Sequence, residues 1–486
     1  MEVIHGDRRA AADEQAREQN ERTGRTLFAA ALCAFVGIAV PLIIRGAPLA
    51  DDFNNCVGPR ELGVGDFIAW SWHLLGAIRP ARFVEILVTA SICGSLPFGV
   101  AIMVSLIATL AVAFQVRGLL RDLSIPDLWA DLGGSLWLLQ PLGTEAGLWP
   151  AALHVPLGLV LAVAAVRLYL RGRLGWAAAA NLAAALSAEQ IILPLPLAAW
   201  LVAPSAQRRR AAVISAAVGV LVITTFFTWP GANPRLHTAA LERVAGLFEN
   251  PTFYVGYPAV GLGLHSIPLA IVWAFPWSVA VLIGAAILGW RLGPRLVAAS
   301  RPIGRRDQVR GFTALAAIVA LANVVVVLAV PQQGSPRVFA PTWLVLAFGV
   351  AWAGASTKWR RPRALGTCAA VFAAGAVLSL AFSASVRLRS GDFTARATRL
   401  IAERIPDGGR VAVCDVQRTV VQPAPRGAYA VHEFLEDWAA ERALQYYTGR
   451  HATILLAGNL WNRPCPPVKD VDAVIRFNQL VAALHP

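Results

Sequence analysis

The fold is decided by residues 358–387, KWRRPRALGTCAAVFAAGAVLSLAFSASVR, in which a basic cluster precedes the uncharged run 364–386. A run of this length crosses a hydrocarbon core of about 30 Å when it is helical. Basic residues just before an apolar run are typical of the cytoplasmic end of a membrane span. The stretch therefore predicts a helix that starts at the cytoplasmic surface and ends outside.

Similar apolar runs recur along the chain. Of its 486 residues, 57% are hydrophobic and 15% are charged, against roughly 25% charged in an average soluble domain. These values predict an all-α polytopic membrane protein with about eleven transmembrane helices. The predicted spans are 26–44, 97–116, 127–140, 150–168, 176–188, 190–203, 211–229, 268–290, 311–330, 338–355 and 364–386. The fifth and sixth are too short to cross alone, so they predict a hairpin that turns at residues 187–190.

The arginines define the orientation. The loops assigned to the inside carry 23 Lys and Arg residues and those assigned to the outside carry 7, which is the positive-inside distribution. The net charge of +14 therefore belongs to membrane loops and does not indicate nucleic-acid binding. We expect a cytoplasmic tail at residues 1–25, no cleaved signal peptide, and a C-terminus outside the inner (cytoplasmic) membrane of a bacterium.

Two outer loops are long, at residues 45–95 and 230–267. The first contains an aromatic run at 67–73 that is typical of a helix lying in the membrane interface. Long outer loops joined to short helices favour an enclosed cavity that faces outward. The transmembrane domain is therefore assigned to residues 26–386.

Residues 387–486 predict a small extracytoplasmic α/β domain. The pattern predicts strands at 410–415 and 453–456 and a helix at 432–448. Cys414 and Cys465 both lie in this domain, where oxidation is permitted, so we expect a disulfide between them. The cysteines in or near spans are interpreted as small packing residues: Cys33, Cys93 and Cys368.

Acidic residues near the outer membrane boundary are the candidates for chemistry. Asp51 and Asp52 follow the first span, and two adjacent carboxylates there need water, a cation or a proton. They are candidates for a general base, or for a base together with a metal ligand, although a solvated loop explains them equally simply. Glu145 at another outer boundary and Glu189 in the short hairpin are candidate lining residues, because ionisable groups at membrane depth are costly.

Together, the acidic pair after the first span, the interfacial helix, about a dozen spans and the outer C-terminal domain resemble the GT-C glycosyltransferases. The stretch 79–83, Arg-Pro-Ala-Arg-Phe, lies where relatives often carry a Gly-Arg-aromatic sequence, with Ala81 in place of the glycine. The resemblance implies an inverting transfer of a sugar from a polyprenyl-phosphate carrier to a glycan, lipid or protein outside. Asp51 or Asp52 matches the family's acidic residue.

The departing phosphate in such a reaction needs a cation. Arg337 and Arg82 are candidates, because guanidinium binds phosphate bidentately, while anchoring at the interface remains an alternative for Arg337. No certain cofactor is implied, although a divalent metal such as Mg or Mn, held by the acidic pair, stays open. Two other functions share the basic loops: a transporter or flippase of lipid-linked sugars, and a surface-polysaccharide polymerase or ligase.

Overall fold

The computed structural model describes the backbone of residues 2–48, 51–75, 80–141, 144, 147–228, 264, 266–301, 303–329, 339–357, 359–416, 419–422, 428–431, 437–458 and 464–483. The chain is helical, with a small sheet near the C-terminus. The described helices are α1 (Glu2–Arg45), α2 (Asp51–Leu62), α3 (Val64–Leu75), α4 (Pro80–Ser95), α5 (Gly99–Asp122), α6 (Asp127–Leu138), α7 (His154–Leu170), α8 (Leu174–Ser187), α9 (Pro194–Val202), α10 (Arg208–Thr228), α11 (Ser266–Trp273), α12 (Trp277–Ala298), α13 (Arg305–Ala329), α14 (Ala340–Ser356), α15 (Pro362–Arg404), α16 (Asp437–Thr448) and α17 (Phe477–Ala483).

Five stretches in the described part of the chain are long and apolar enough to cross a membrane, so the protein is a helical membrane protein. They are Arg17–Arg45, Gly99–Asp122, Pro150–Leu170, Trp277–Ala298 and Pro362–Arg404. The expected count of eleven is not supported. Three of the predicted spans are too short, since α6, α8 and α9 have 12, 14 and 9 residues, whereas a crossing needs about 20. The break predicted between the two short helices is present, because a 3-10 turn at Glu189–Ile191 separates α8 from α9.

A buried ionic cluster joins the first helices at the arginine-rich end of the bundle. Asp131 of α6 is fully buried, and its Oδ1 accepts hydrogen bonds from Arg117 Nε at 2.8 Å and Arg121 Nη2 at 3.1 Å. The Arg117 guanidinium also lies 4.0 Å from the ring centroid of Phe28 in α1. The cluster thereby holds α1, α5 and α6 in one arrangement.

Glycines permit a close crossing of α12 and α15. A Cβ atom built on Gly289 of α12 would lie 2.1 Å from the carbonyl oxygen of Gly366 in α15, and the reverse substitution meets the same obstacle. One turn later, Gly293 approaches the Pro362 backbone in the same way. Small residues four apart are a common means of packing membrane helices backbone against backbone.

The C-terminal region has its own core and sheet. Strands β1 (Arg410–Cys414), β4 (Thr453–Leu456) and β5 (Ala473–Arg476) form a parallel sheet in the order β4-β1-β5, and β2 (Thr419–Gln422) pairs with β3 (Ala428–Val431) in an antiparallel hairpin. The predicted strands at 410–415 and 453–456 are confirmed. The described part of the predicted helix at 432–448 is α16. The helix α15 runs without a break from the bundle into this core, where Ile401 is fully buried.

The described residues include two disulfides. Cys414 bonds to Cys465, which confirms the prediction. Cys93 bonds to Cys56, so its interpretation as a packing residue was wrong. The error arose because the sequence pattern did not predict α2. This helix places Cys56 next to Cys93, which lies near the end of α4. This bond links α2 to α4.

Candidate functional site

The described residues bring charged side chains together around α2, just beyond α1. Asp52 in the first turn of this helix is fully buried. Its Oδ2 accepts a hydrogen bond from Trp149 Nε1 at 2.9 Å, and its Oδ1 accepts one from the backbone N–H of Ala151 at 2.8 Å. Arg387 Nη2 lies 3.8 Å from the same Oδ2. The carboxylate is therefore fixed by two donors and a nearby cation.

Arg387 reaches this position from α15, which lies far from α2 in the sequence. Its side chain is 5% exposed, and its Nη1 donates to the carbonyl oxygen of Leu148 at 2.9 Å. The segment 148–151 thus contacts both partners of the ion pair. A buried charge is stable only when paired and hydrogen-bonded, and these contacts supply both conditions.

A second ionic group lies beside the first, on α4. Glu85 is fully buried and forms an ion pair with Arg82, one turn earlier on the same helix. Its Oε2 lies 2.6 Å from His154 Nδ1 at the start of α7. Asn55 of α2 connects the two helices by donating to Glu85 Oε1 at 3.3 Å and accepting from Arg82 Nη2 at 3.4 Å.

The two groups nearly cancel in charge. Glu85 neutralises Arg82, and Asp52 faces Arg387, so the cluster is neutral when His154 is neutral. The prediction that Arg82 holds phosphate is weakened by this pairing, since its positive charge is already compensated.

Another cation lies at the other end of α2. Arg60 is exposed, sits on the last turn of this helix and donates to the carbonyl of Cys93. A carbonyl oxygen does not neutralise a guanidinium, so this hydrogen bond orients the side chain and leaves its charge in place.

The C-terminal domain covers this cluster through α16. The Phe53 ring, fully buried next to Asp52, lies 5.7 Å and 5.8 Å between centroids from Tyr446 and Tyr447. Burial raises the pKa of Tyr446, while the charge of Arg60 lowers it and the charge of Asp52 raises it further. The hydroxyl of Tyr446 therefore lies within electrostatic reach of both residues, at the boundary of the domain and the bundle.

An ionic contact fixes the same domain at the far end of α2. Glu61 pairs with Arg442 and accepts a hydrogen bond from Gln445, both on α16, and His451 Nδ1 lies 3.8 Å from its Oε1. Burial opposes the ionisation of Glu61, but the hydrogen bonds and the charges of Arg442 and His451 together hold its pKa below the ordinary value of 4.5. These residues form the α2–α16 contact.

No family model matches the chain, and no curated protein matches it either.

The sequence-predicted candidates divide into three groups. The first group is described and consists of Asp51, Asp52 and Arg82. The structure brings Asp52 and Arg82 into one cluster through Ala151. The backbone N–H of Ala151 donates to Asp52, and its carbonyl oxygen accepts a hydrogen bond from Arg82 Nη1 at 3.2 Å. The backbone of Glu189 forms the 3-10 turn after α8, but its side chain lies outside the described residues. Glu145 and Arg337 lie outside them altogether.

The donor set around Asp52 does not suit a divalent metal. Hard cations such as Mg²⁺ prefer several carboxylate, carbonyl and water oxygens, whereas Asp52 is occupied by an indole, a backbone N–H and a guanidinium. In the described part of the chain, no three His, Cys, Asp or Glu side chains form a group suited to a metal.

Sequence reasoning missed four residues of this region. They are Glu85, Arg387, Arg60 and Gln140. Glu85 had a signal, since a carboxylate three residues after an arginine in an apolar helix is costly unless it is paired. Gln140, two residues past α6, is fully buried, and neither amide atom has a hydrogen-bond partner among the described residues. A buried amide of this kind requires an explanation such as a water or a ligand.

Proposed function

We propose that this protein is an inverting membrane glycosyltransferase that moves a sugar from a polyprenyl-phosphate carrier to a hydroxyl acceptor outside the membrane. The observation that carries the proposal is the buried ionic cluster of α2, α4 and α15 at the end of the bundle away from the arginine-rich loops. Ionisable groups at such a depth are expensive and tend to be functional. Both disulfides lie at this same end, which supports an oxidising compartment there.

The chemistry requires a base, and Asp51 is the better of the two candidates. Asp52 is fully buried and its oxygens bind Trp149 and Ala151, so it positions the start of α2. Asp51 is only partly buried, so its carboxylate is the more accessible of the two to an acceptor hydroxyl. In the reaction, Asp51 takes the proton of the acceptor hydroxyl while the hydroxyl oxygen bonds to the anomeric carbon of the sugar. The bond from that carbon to the phosphate oxygen breaks, and polyprenyl phosphate leaves with the electron pair.

The departing phosphate requires positive charge that is not already compensated. Among the described residues, Arg60 forms no ion pair with a carboxylate, unlike Arg82 and Arg387. Guanidinium binds phosphate oxygens bidentately. We therefore assign the phosphate to Arg60, with Tyr446 of the C-terminal domain beside it. The buried amide of Gln140 is a second contact for a polar ligand, since sugar hydroxyls would satisfy it.

The test is donor cleavage by the full-length protein in liposomes, using polyprenyl-phosphate hexoses and pentoses with a mixture of envelope glycans as acceptors. Asp51→Asn should lower the rate about 100-fold or more, the usual contribution of a general base. Asp66→Asn, which removes an exposed carboxylate from the neighbouring helix α3, should leave it unchanged. Arg60→Gln should raise the KM for donor, whereas Arg410→Gln, which removes an exposed arginine of the C-terminal domain, should leave it unchanged.

The outcome also separates the rival classes. If Asp51→Asn and Asp52→Asn both cleave donor like the wild type, the acidic pair has no catalytic role and the proposal fails. If neither the wild type nor any variant cleaves donor, and all of them move lipid-linked sugar across the bilayer, the protein is a transporter. A polymerase or ligase would extend a lipid-linked glycan chain in the same assay.

A further inference from the structure

A cavity of about 410 Å³ lies far from the ionic cluster, between helices α5, α7, α9, α13 and α14. Its lining includes Leu123 at the end of α5, Val166 of α7 and Val202 of α9, all near the ends of these helices at the arginine-rich side. On α13 the lining begins at Arg310 and continues to Ala322. The cavity therefore starts at the arginine-rich surface and runs toward the middle of the bundle.

The dimensions of the cavity match one lipid chain. The twelve residue steps from Arg310 to Ala322 rise about 18 Å along a helix. Half of a hydrocarbon core is about 15 Å, so the cavity reaches roughly to the midplane of the bilayer. Its volume lies in the ordinary range of ligand sites. A cavity of this depth accommodates one acyl chain of a lipid in the adjacent leaflet.

The lining residues indicate the chemistry of both the tail and the head group of the bound molecule. All lining side chains except Arg310 are apolar. Arg310 is 65% exposed and lies 3.8 Å from the carboxylate of Asp307, and Arg305 and Arg306 are exposed on the preceding turn. Three arginines against one aspartate leave this end of α13 positive. Basic pockets between transmembrane helices are known to bind anionic lipid head groups.

We propose that this cavity is a binding site for one acyl chain of an anionic phospholipid, whose phosphate lies at Arg310. The polyprenyl chain of a sugar donor does not fit this position, because the donor phosphate is assigned to Arg60, at the opposite end of the bundle. The site is independent of glycosyl transfer and would exist in a transporter as well.

The test is photo-crosslinking in lipid nanodiscs, with phosphatidylglycerol or phosphatidylcholine that carries a diazirine in one acyl chain. Mass spectrometry of the full-length protein should place the label on lining residues such as Ile318 and Phe348. Ala314→Phe projects a ring into the cavity and should remove most of this label. Ala316→Phe is the matched control, since Ala316 is exposed on the same helix and is not part of the lining.

The head group is tested by charge. Phosphatidylglycerol should label the lining about fivefold more than phosphatidylcholine, as expected for one arginine near a membrane surface, and Arg310→Gln should abolish that preference. Arg209→Gln, which removes an exposed arginine at the start of α10, away from the lining, should retain it. Equal labelling by both lipids overturns the proposal, as does label that survives Ala314→Phe. Displacement by polyprenyl phosphate but not by phosphatidylglycerol overturns it too, in favour of the donor's tail.

Discussion

Replacing Arg387 by methionine removes the cation that faces Asp52 and keeps most of the side-chain volume. The two charges lie 3.8 Å apart, and at an effective dielectric constant of 20 their attraction is about 4 kcal/mol. Asp52 stays fully buried and keeps its bonds to Trp149 and Ala151, so it does not become solvated. Breaking a buried pair by removing one partner usually costs about 3–5 kcal/mol. We expect the free energy of unfolding to fall by about 4 kcal/mol.

The assay is equilibrium unfolding of the full-length protein in mixed detergent micelles, as a double-mutant cycle with Asp52→Asn. Because the asparagine removes the stranded charge, Arg387→Met should cost much less in the Asp52→Asn background. We expect a coupling energy of about 2 kcal/mol or more, within the range for residues of one network. Arg389→Met is the control, since two residues turn the side chain about 200° around the helix.

A coupling energy below about 0.5 kcal/mol would refute the reasoning, because the effects of substituting two residues that interact do not simply add. An effect of Arg389→Met as large as that of Arg387→Met would also refute it, since it would assign the loss to the helix surface and not to the ion pair.

Three further predictions concern other contacts of the protein. The α2–α16 contact should hold above pH 4.5 and weaken as the pH falls through the lowered pKa of Glu61, because protonation removes the charge that pairs with Arg442. Spin labels on the two helices should then report a broader distribution of distances at low pH. Glu61→Gln should give this broad distribution at every pH. Replacing Cys414 and Cys465 by serine should destabilise the C-terminal domain by about 4 kcal/mol, the chain-entropy value for a loop of 51 residues, and denaturant unfolding of that domain with and without reductant measures it. Gly289→Leu should lower the melting temperature through overpacking of α12 against α15, whereas Gly284→Leu should not, because an added Cβ there would meet no atom within 4 Å.

Patterns within short stretches of the sequence predicted the helices and strands that form from local preferences. Long apolar runs located the helices, and short apolar runs located β1 and β4. The same patterns failed for α2, because Asn54, Asn55, Gly58 and Pro59 have low helix propensity and only tertiary contacts keep the segment helical. The span count was too high in part because three apolar runs that form helices of 9 to 14 residues were counted as spans, although such helices are too short to cross alone.

The ionic cluster was only half predictable. The Asp51–Asp52 pair stood out as two charges beside a membrane span. The approach of Arg387 to Asp52 depends on how α15 packs against the segment after α6, and no spacing within either stretch encodes it. Likewise, the partner of Cys93 was unpredictable until α2 was known to lie against α4.

The helix α15 has consequences for motion. Its 43 residues form one rod of about 65 Å, of which the first half lies in the bundle and the last turns belong to the core of the C-terminal domain. No flexible linker interrupts this described helix between the two parts, so the domain has no hinge there on which to swing aside. Any tilt of the rod in the bilayer is transmitted to the far end as a displacement of Tyr446 over Asp52. Changes in bilayer thickness would thus act mechanically on the outer face of the site.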